Sequence, residues 1–472
     1  MRNAESIIDR ILTETRARGA TFTEVLMSLG YSSLKRIVNG ESYQPSAGEG
    51  ISITFSCIVD GKRINAACDS EDAITPEIEA LFLKAPHLPR NPEDAFAPTA
   101  PFPTATLAPE LLYDVQTAQM NDDHLVDVIN HVNSLLEPAA FIFDGAVAQG
   151  VTDHFFANSV GTFQTCKTTN AHLSIFGFEP NDRSVSAYQT VAGKALSQFP
   201  VETLGRDVAK KLQIQRDYLT QHNGDRIDPF GGKTGPQRFD VIMERAGWAG
   251  LLAIFSGQAS AWNGKSYHDG TSFFSGKLGT KVMGENITIW DDPFHSMGVP
   301  QAFDYEGHPK QKLLLVKNGI AKNVAYDTAL AHKYGTVTTG HGLPPSSRSF
   351  GAIPLHLSVQ GGTATIKQMI TDSKEPTLWI STLHYIRATH QQDGRATGTT
   401  LHGMFLVKNG EVVGPTEHLR FDESIPEALS RVTHITPALP TLSGEHDDTP
   451  YIVPTMRSNE FRFVSVADRT VR

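Results

Sequence analysis

Eighteen histidines in a chain of 472 residues raise metal chemistry first, since imidazole is the commonest side-chain ligand for transition metals. A helical zinc peptidase needs His followed directly by Glu: imidazoles on one helix face hold Zn²⁺ while the carboxylate activates its water. The dipeptide His-Glu occurs nowhere in this sequence. His384 and His390 in LHYIRATH are six apart, which places both on one face of a strand. His268, His295, His308 and His341 sit in glycine- or proline-rich loops that could converge. The adjacent carboxylates Asp291 and Asp292 of IWDDPFH read as a turn rather than an acid–base pair.

Three short patterns suggest other chemistry and fail on inspection. GGKT at 231–234 looks like the end of a phosphate-binding loop, but that loop requires glycine at position 227, where Ile227 stands. Pro229 and Pro236 bracket the region, and no helix start follows to hold an anion. ANSVG at 157–161 has Ala157 in place of the first glycine of a nucleophile elbow, and its flanks read strand–turn–strand. SSLK at 32–35 fits S-x-x-K, but Ser32 falls in an expected strand and the partner motifs are missing.

The elements that would position such residues belong to a folded, two-domain protein. Hydrophobic residues make up 40% and charged residues 19% of the chain, and its length exceeds one ordinary core. A net charge of −10 argues against nucleic-acid binding, which needs a basic surface. Three cysteines, Cys57, Cys68 and Cys166, suit buried thiols in a reducing compartment. The N-terminal segment alternates charged and apolar residues and lacks a signal-peptide core, and no run of 18 apolar residues occurs. A cytoplasmic location without membrane contact is the expectation.

Ile7, Ile8, Ile11 and Leu12 recur at helical spacing. TEVLMSLG, SSLKRIVNGES and GISITFSCIVDGKRINAACD read as strands, with a hairpin at Asp60-Gly61. A helix follows in TPEIEALFLKA, and residues 86–109, with seven prolines, form a connector. Another helix spans about Asp122 to Leu136, followed by a meander of antiparallel strands and the helix VETLGRDVAKKLQIQRDYL. QHNGDRIDPFGGKTGP marks a boundary near 220–236. Beyond it lie the strand RFDVIME, the apolar stretch LLAIFSGQASAW (Leu251–Trp262) as a buried helix, and mainly β segments. LLLVKNGIAK and MFLVKNGEVV both place Asn-Gly between apolar runs, the preferred type I′ hairpin turn. The fold class expected is α+β in two domains. Residues 1–220 form an N-terminal α/β domain with an antiparallel sheet and helices, including the connector 86–109; residues 236–472 form a β-rich C-terminal domain.

The runs GTSFFSGKLG, DYEGHPKQKLLLVKNGIAKNVAYDTALAHKYG, TTGHG, FGAIPLHL and TGTTLHGMFLVKNGEVVGPTEHLRFDESIPEAL, in this order, resemble the TldD/PmbA family, also described as modulators of DNA gyrase. IVDGKR and FANSVGTF add to the likeness in the first half. It is weakest in the connector and after about residue 436. In the TldD branch a helix carries H-E-x-x-x-H, and a late cysteine completes a zinc site. The PmbA branch, also called TldE, lacks these ligands. Counted back from Gly270-Thr271-Ser272, the first motif histidine falls on Phe255, the glutamate on Ser256 and the second histidine on Ser260. No cysteine follows Cys166. Phenylalanine and neutral serine cannot replace imidazole on zinc, and serine cannot act as the carboxylate base.

The resemblance implies a PmbA/TldE-type, non-catalytic subunit with no metal of its own. Its partner would be a TldD-like metallopeptidase that carries zinc, and the pair would shape a cleft for unfolded peptides or small peptide conjugates. Phe255, Ser256, Ser260, His268 and His341 are the expected cleft-lining residues, and a homodimer of the lone chain is left open. The ending SGEHDDTPYIVPTMRSNEFRFVSV departs from the family's glycine-rich tail, which leaves open a paralogue serving a biosynthetic pathway. Two alternatives stand beside this reading. One is a stand-alone peptidase or amide hydrolase with non-zinc chemistry; the other is a binding protein that modulates gyrase or a toxin–antitoxin pair.

Overall fold

The structure, a computed structural model, describes residues 4–90, 96–444 and 450–467. Parts of the expected connector and of the divergent C-terminal stretch therefore lie outside the described residues.

The first half is built on six antiparallel strands: β1 (Phe22–Val38), β2 (Glu41–Val59), β3 (Lys62–Cys68), β4 (Ile142–Asn158), β5 (Phe163–Glu179) and β6 (Asp182–Gly193). Their spatial order is β3-β2-β1-β4-β5-β6. Asn39-Gly40 and Asp60-Gly61 join the first three strands with positive φ at both turn positions, the geometry that matches strand twist. TEVLMSLG and the SSLKRIV of SSLKRIVNGES, read as separate strands, fall in one strand of 17 residues, and the NGES that follows forms the turn and the start of β2. Gly30 does not interrupt β1, because it stays in the ladder opposite Gly50 and Thr152.

Alternation along β2 puts Ile53, Phe55 and Cys57 in one core with Ile7, Ile8 and Ile11 of the helix Ala4–Ala17 and Ile78 of the helix Ile74–Lys84. The helices Asp122–Leu136 and Val201–Gln221 cover the other end of the sheet through Leu125, Ile129, Val208 and Leu212. Asn121 starts the former with a capping box. Gly177 of β5 lets the latter approach closely, since a Cβ there would stand 2.3 Å from Val208 Cγ1.

Two further sheets follow residue 236. In one, the strands Gln237–Met243, Thr377–His390, Arg395–Lys408, Leu419–Ser424 and Met456–Val466 each pair with two of the others and close into a ring. Closure leaves no lengthwise free edge where the strands pair. The other sheet is mixed, running from the hairpin Leu313–Lys317/Ile320–Ala321 through Ile289–Asp291 and Leu357–Val359 to Tyr451–Val453 and Leu439–Thr441. Asn318-Gly319 and Asn409-Gly410 both turn with positive φ, as their sequence context requires. The helix Arg245–Ser256 buries Trp248, Leu251, Leu252 and Phe255 in the core these strands share.

A buried charge network joins the halves. Lys211 Nζ, with a fully buried side chain, lies 2.8 Å from Asp207 Oδ2 and 2.7 Å from Glu244 Oε1. Trp379 Nε1 donates to the same Glu244 oxygen at 2.7 Å, and Gln189 Nε2 of β6 donates to Glu244 Oε2 at 3.0 Å. Burial pulls the Lys211 pKa down, but Asp207 and Glu244 outweigh it and raise it above the ordinary value, so the group stays cationic. At another junction Gly307, at φ +80°, rests against the Phe156 ring, where a Cβ would come within 2.1 Å of Cδ1.

Lys211→Met keeps the volume but leaves the buried Glu244 and the half-buried Asp207 without their cation. Urea unfolding should show a loss of about 3–5 kcal/mol. A loss under about 1 kcal/mol would mean that solvent, not Lys211, compensates these carboxylates.

Candidate functional site

The positions aligned with the metal motif lie at the end of the helix Arg245–Ser256. Glu244 is its N-cap residue but makes no side-chain cap, because its carboxylate is held by Lys211 and Trp379. The apolar stretch was expected to be helical through Trp262; instead the helix stops at Gly257, and 257–262 turns back on itself. The N–H of Gly257 still bonds to Ala253 O, but Ser260 has φ +49°, incompatible with a continuing helix.

Phe255 is fully buried, with ring centroids 5.0 Å from Trp262, 5.9 Å from Phe273 and 6.1 Å from Phe274. Ser256 is 2% exposed, and its Oγ donates to Pro354 O at 2.9 Å. Ser260 Oγ donates to Gly257 O at 3.1 Å. A serine nucleophile needs a base to take its proton, and both hydroxyls face carbonyl oxygens instead.

The five residues expected to line a cleft do not come together in one. Phe255, Ser256 and His341 are sealed in the interior by aromatic packing and hydrogen bonds. His268 is on the surface, stacked 3.6 Å from the Tyr334 ring and 3.0 Å from Tyr326 Oη. Ser260 alone belongs to a turn beside an open cleft. That cleft, of about 510 Å³, is lined by Gln258, Thr271 and 388–392. Its amides are partly tied: Gln258 Oε1 accepts from Ala388 N at 3.3 Å, and Gln391 Nε2 donates to Gln258 O at 3.0 Å. His390 reaches this cleft and sits 3.2 Å from Asp393. His384 does not share its face by simple alternation, because bulges interrupt the strand between them and Tyr385 takes φ +49°.

Of the four loop histidines, His341 enters a charged cluster that the sequence concealed. Asp291, expected in a turn, closes the strand Ile289–Asp291 and is fully buried. Its Oδ2 lies 2.9 Å from His341 Nε2 and 3.4 Å from Lys310 Nζ, while Oδ1 accepts from His356 N at 2.6 Å. His341 Nδ1 faces Thr339 O at 2.8 Å. Burial opposes ionisation of Asp291, but Lys310 and His341 hold its pKa well below the usual carboxylate range. Burial lowers His356 to about 4, and burial with Lys310 lowers His341. The Lys310 ammonium and the Asp291 carboxylate form a buried salt bridge inside this cluster. Among the described residues no group of three or more His, Cys, Asp or Glu is placed to hold a metal ion.

Residues 236–465 match the family model described as the PmbA/TldA metallopeptidase C-terminal domain. A metalloprotease TldD homolog of Buchnera aphidicola is 28% identical over 208 residues, 42% of this chain and 40% of that one. The TldD homolog of Haemophilus influenzae is 35% identical over 204 residues, 41% of this chain and 40% of its own. The chain thus spans about two fifths of the length of these relatives. Among solved structures, TldE from Thermococcus kodakarensis superposes with a TM-score of 0.81 at 18% identity, covering 97% of this chain and 99% of its own. A Bacteroides thetaiotaomicron protein described as a modulator of DNA gyrase gives a TM-score of 0.78 at 14% identity, covering 98% and 99%. At such identities the likeness is one of fold.

The low pKa of His356 has a defined sign for stability. The unfolded chain takes up a proton near pH 6.5, whereas the folded chain refuses it until about pH 4. Stability from this group is complete above 6.5 and is lost as pH falls toward 4. His356→Gln should therefore lose less melting temperature between pH 7 and pH 4.5 than the unsubstituted chain; an equal loss would contradict the burial of a neutral imidazole.

Proposed function

Residues 236–465 are a domain of the TldD/PmbA family, and from that premise we propose that this chain is a non-catalytic, PmbA/TldE-like subunit of a zinc metallopeptidase complex. Its partner is a TldD-like chain that supplies the zinc, and this chain supplies one wall of the cleft for unfolded peptides or small peptide conjugates. One observation carries the reading: where the peptidase branch needs His, Glu and His, this chain has a sealed Phe255, a hydrogen-bonded Ser256 and an off-helix Ser260.

The order of burial gives this weight. A zinc-bound water needs an open coordination position and a carboxylate within reach. Here the same positions are filled by aromatic packing, and the two hydroxyls are spent on backbone carbonyls. The fold likeness to TldE supports assignment to that branch. The open cleft beside the 257–260 turn offers neutral amides and hydroxyls, which suit the backbone of an extended peptide with little regard to its side chains. A cytoplasmic location fits such a role, and no helix among the described residues is long and apolar enough to cross a membrane.

Co-expression with a TldD-like chain carrying H-E-x-x-x-H should yield a 1:1 complex that cleaves an unfolded peptide, while this chain alone leaves the peptide intact. Ser256→Ala with Ser260→Ala should keep the complex's activity within about twofold, since neither hydroxyl takes part. Cleavage by the lone chain that disappears with those two substitutions would replace this reading with a serine-dependent hydrolase.

A further inference from the structure

Three carboxylates are gathered where the second half faces β1 and β3. Asp304, Glu306 and Asp327 are only 1%, 7% and 3% exposed. Gly342 is wedged against two of them: its N–H donates to Asp304 Oδ2 at 2.8 Å, and a Cβ there would stand 2.8 Å from Glu306 Oε2. Asp304 Oδ1 accepts from His308 N at 2.9 Å. Glu306 Oε2 accepts from Thr328 N at 2.8 Å and from Thr328 Oγ1 at 2.6 Å, and Thr328 directly follows Asp327. Asp327 Oδ1 caps the helix Thr328–Lys333 by accepting from Leu330 N at 2.7 Å. A cavity of about 450 Å³ borders Glu306 and Asp327 and gives protons a path to them.

The neighbouring cations do not match this charge. Arg348 Nε lies 3.5 Å from Glu306 Oε1 without forming a hydrogen bond, and its Nη1 pairs with Glu24 of β1. Arg63 Nη1 of β3 donates to the same Glu24 at 2.9 Å. Lys310 faces Asp291 at 3.4 Å, and burial keeps His308 neutral. Across the cavity, Lys265 meets Asp269 at 3.3 Å, His332 leans on the Phe96 ring with centroids 4.7 Å apart, and Lys333 Nζ lies 5.3 Å from the Tyr334 ring centre. Three buried carboxylates beside one shared guanidinium cannot all ionise without heavy cost, so the group retains a proton. Burial first, and the Glu306 charge second, push Asp304 and Asp327 up to about 7 each. That proton belongs to the group rather than to one residue.

We propose that this carboxylate group is a proton-operated latch between the two halves. With its proton, the group holds the Arg348 bridge from Glu24 to Glu306 and keeps the segments around 304–308, 327–330 and 342 closed; without it, like-charge repulsion opens these segments toward the cavity. The direction follows from burial. A hydrated carboxylate in the opened segments titrates near its ordinary value of about 4. The closed group titrates at about 7, so closing takes up a proton. The stabilisation is therefore complete below about pH 4 and is lost as pH rises through about 7. For one such proton the ratio of closed to open falls about tenfold between pH 6 and pH 8. Every group belongs to this chain, so the latch operates without any peptidase partner.

Hydrogen exchange of the full chain, expressed as protection relative to an unstructured chain at each pH, tests the latch. The amides of His308, Thr328, Leu330 and Gly342 should lose about tenfold in protection from pH 6 to pH 8, while the helix Val201–Gln221 changes less than about twofold. Asp327→Asn removes one charge and keeps the cap acceptor, and should cut the fall to under about threefold. If that variant does not fold, Glu306→Gln, which keeps an acceptor for Thr328, should do the same. Three results would each overturn the proposal: a fall under about threefold in the unsubstituted chain, an equal fall in the helix Val201–Gln221, or an undiminished fall in the folded variant.

Discussion

A lysine with no exposed side-chain surface is costly unless its charge is matched on the spot, and Lys211 is matched by Asp207 and Glu244. The pairing does more than remove a penalty. Glu244 is the residue from which the helix Arg245–Ser256 starts, so the cation on the helix Val201–Gln221 fixes where the second helix begins. Trp379 and Gln189 hold the same carboxylate from the closed sheet and from β6, so Glu244 is constrained from three elements at once. Once that start is pinned, the rotational phase of the helix is set, and Phe255 must point into the core.

The far end of the helix completes the constraint. With Trp248, Leu251, Leu252 and Phe255 all buried, its inner face is an apolar stripe with no room for a charged pair and a bound ion. Gly257 and the left-handed Ser260 then bend the chain away, so the last of the three motif positions leaves the helix altogether. At these three positions backbone course and packing differ from a two-ligand helix face as much as side-chain identity does.

Much of this was legible in the sequence because it rests on local rules. The two Asn-Gly hairpins, the meander of β4–β6 and the helix Asp122–Leu136 follow from turn chemistry and periodicity over a few residues. The unity of β1 was not legible, because glycine at position 30 looks like a break until its neighbours on β2 and β4 are known. The closure of the five-stranded ring depends on pairing between residues 237–243 and 456–466, more than two hundred positions apart, which no local pattern encodes. The same holds for Asp291, whose partners Lys310, His341 and His356 are assembled only when the strand Ile289–Asp291 pairs with Leu313–Lys317 and Leu357–Val359. Adjacent aspartates in a Pro-containing segment read as a turn for good local reasons; Asp292 does open one, with its Oδ1 accepting from Phe294 N, while sheet pairing draws Asp291 into a strand.

The absence of ligand types at 255, 256 and 260 was readable from the residues alone once aligned with the family motif; what the structure adds is their burial and the broken helix. The account is tested most directly by measuring zinc in the purified lone chain and in its 1:1 complex with a TldD-like partner. It predicts zinc well below stoichiometric in the lone chain and about one ion per complex, retained when Ser256 and Ser260 are both changed to alanine. One equivalent of zinc bound by the lone chain would contradict it.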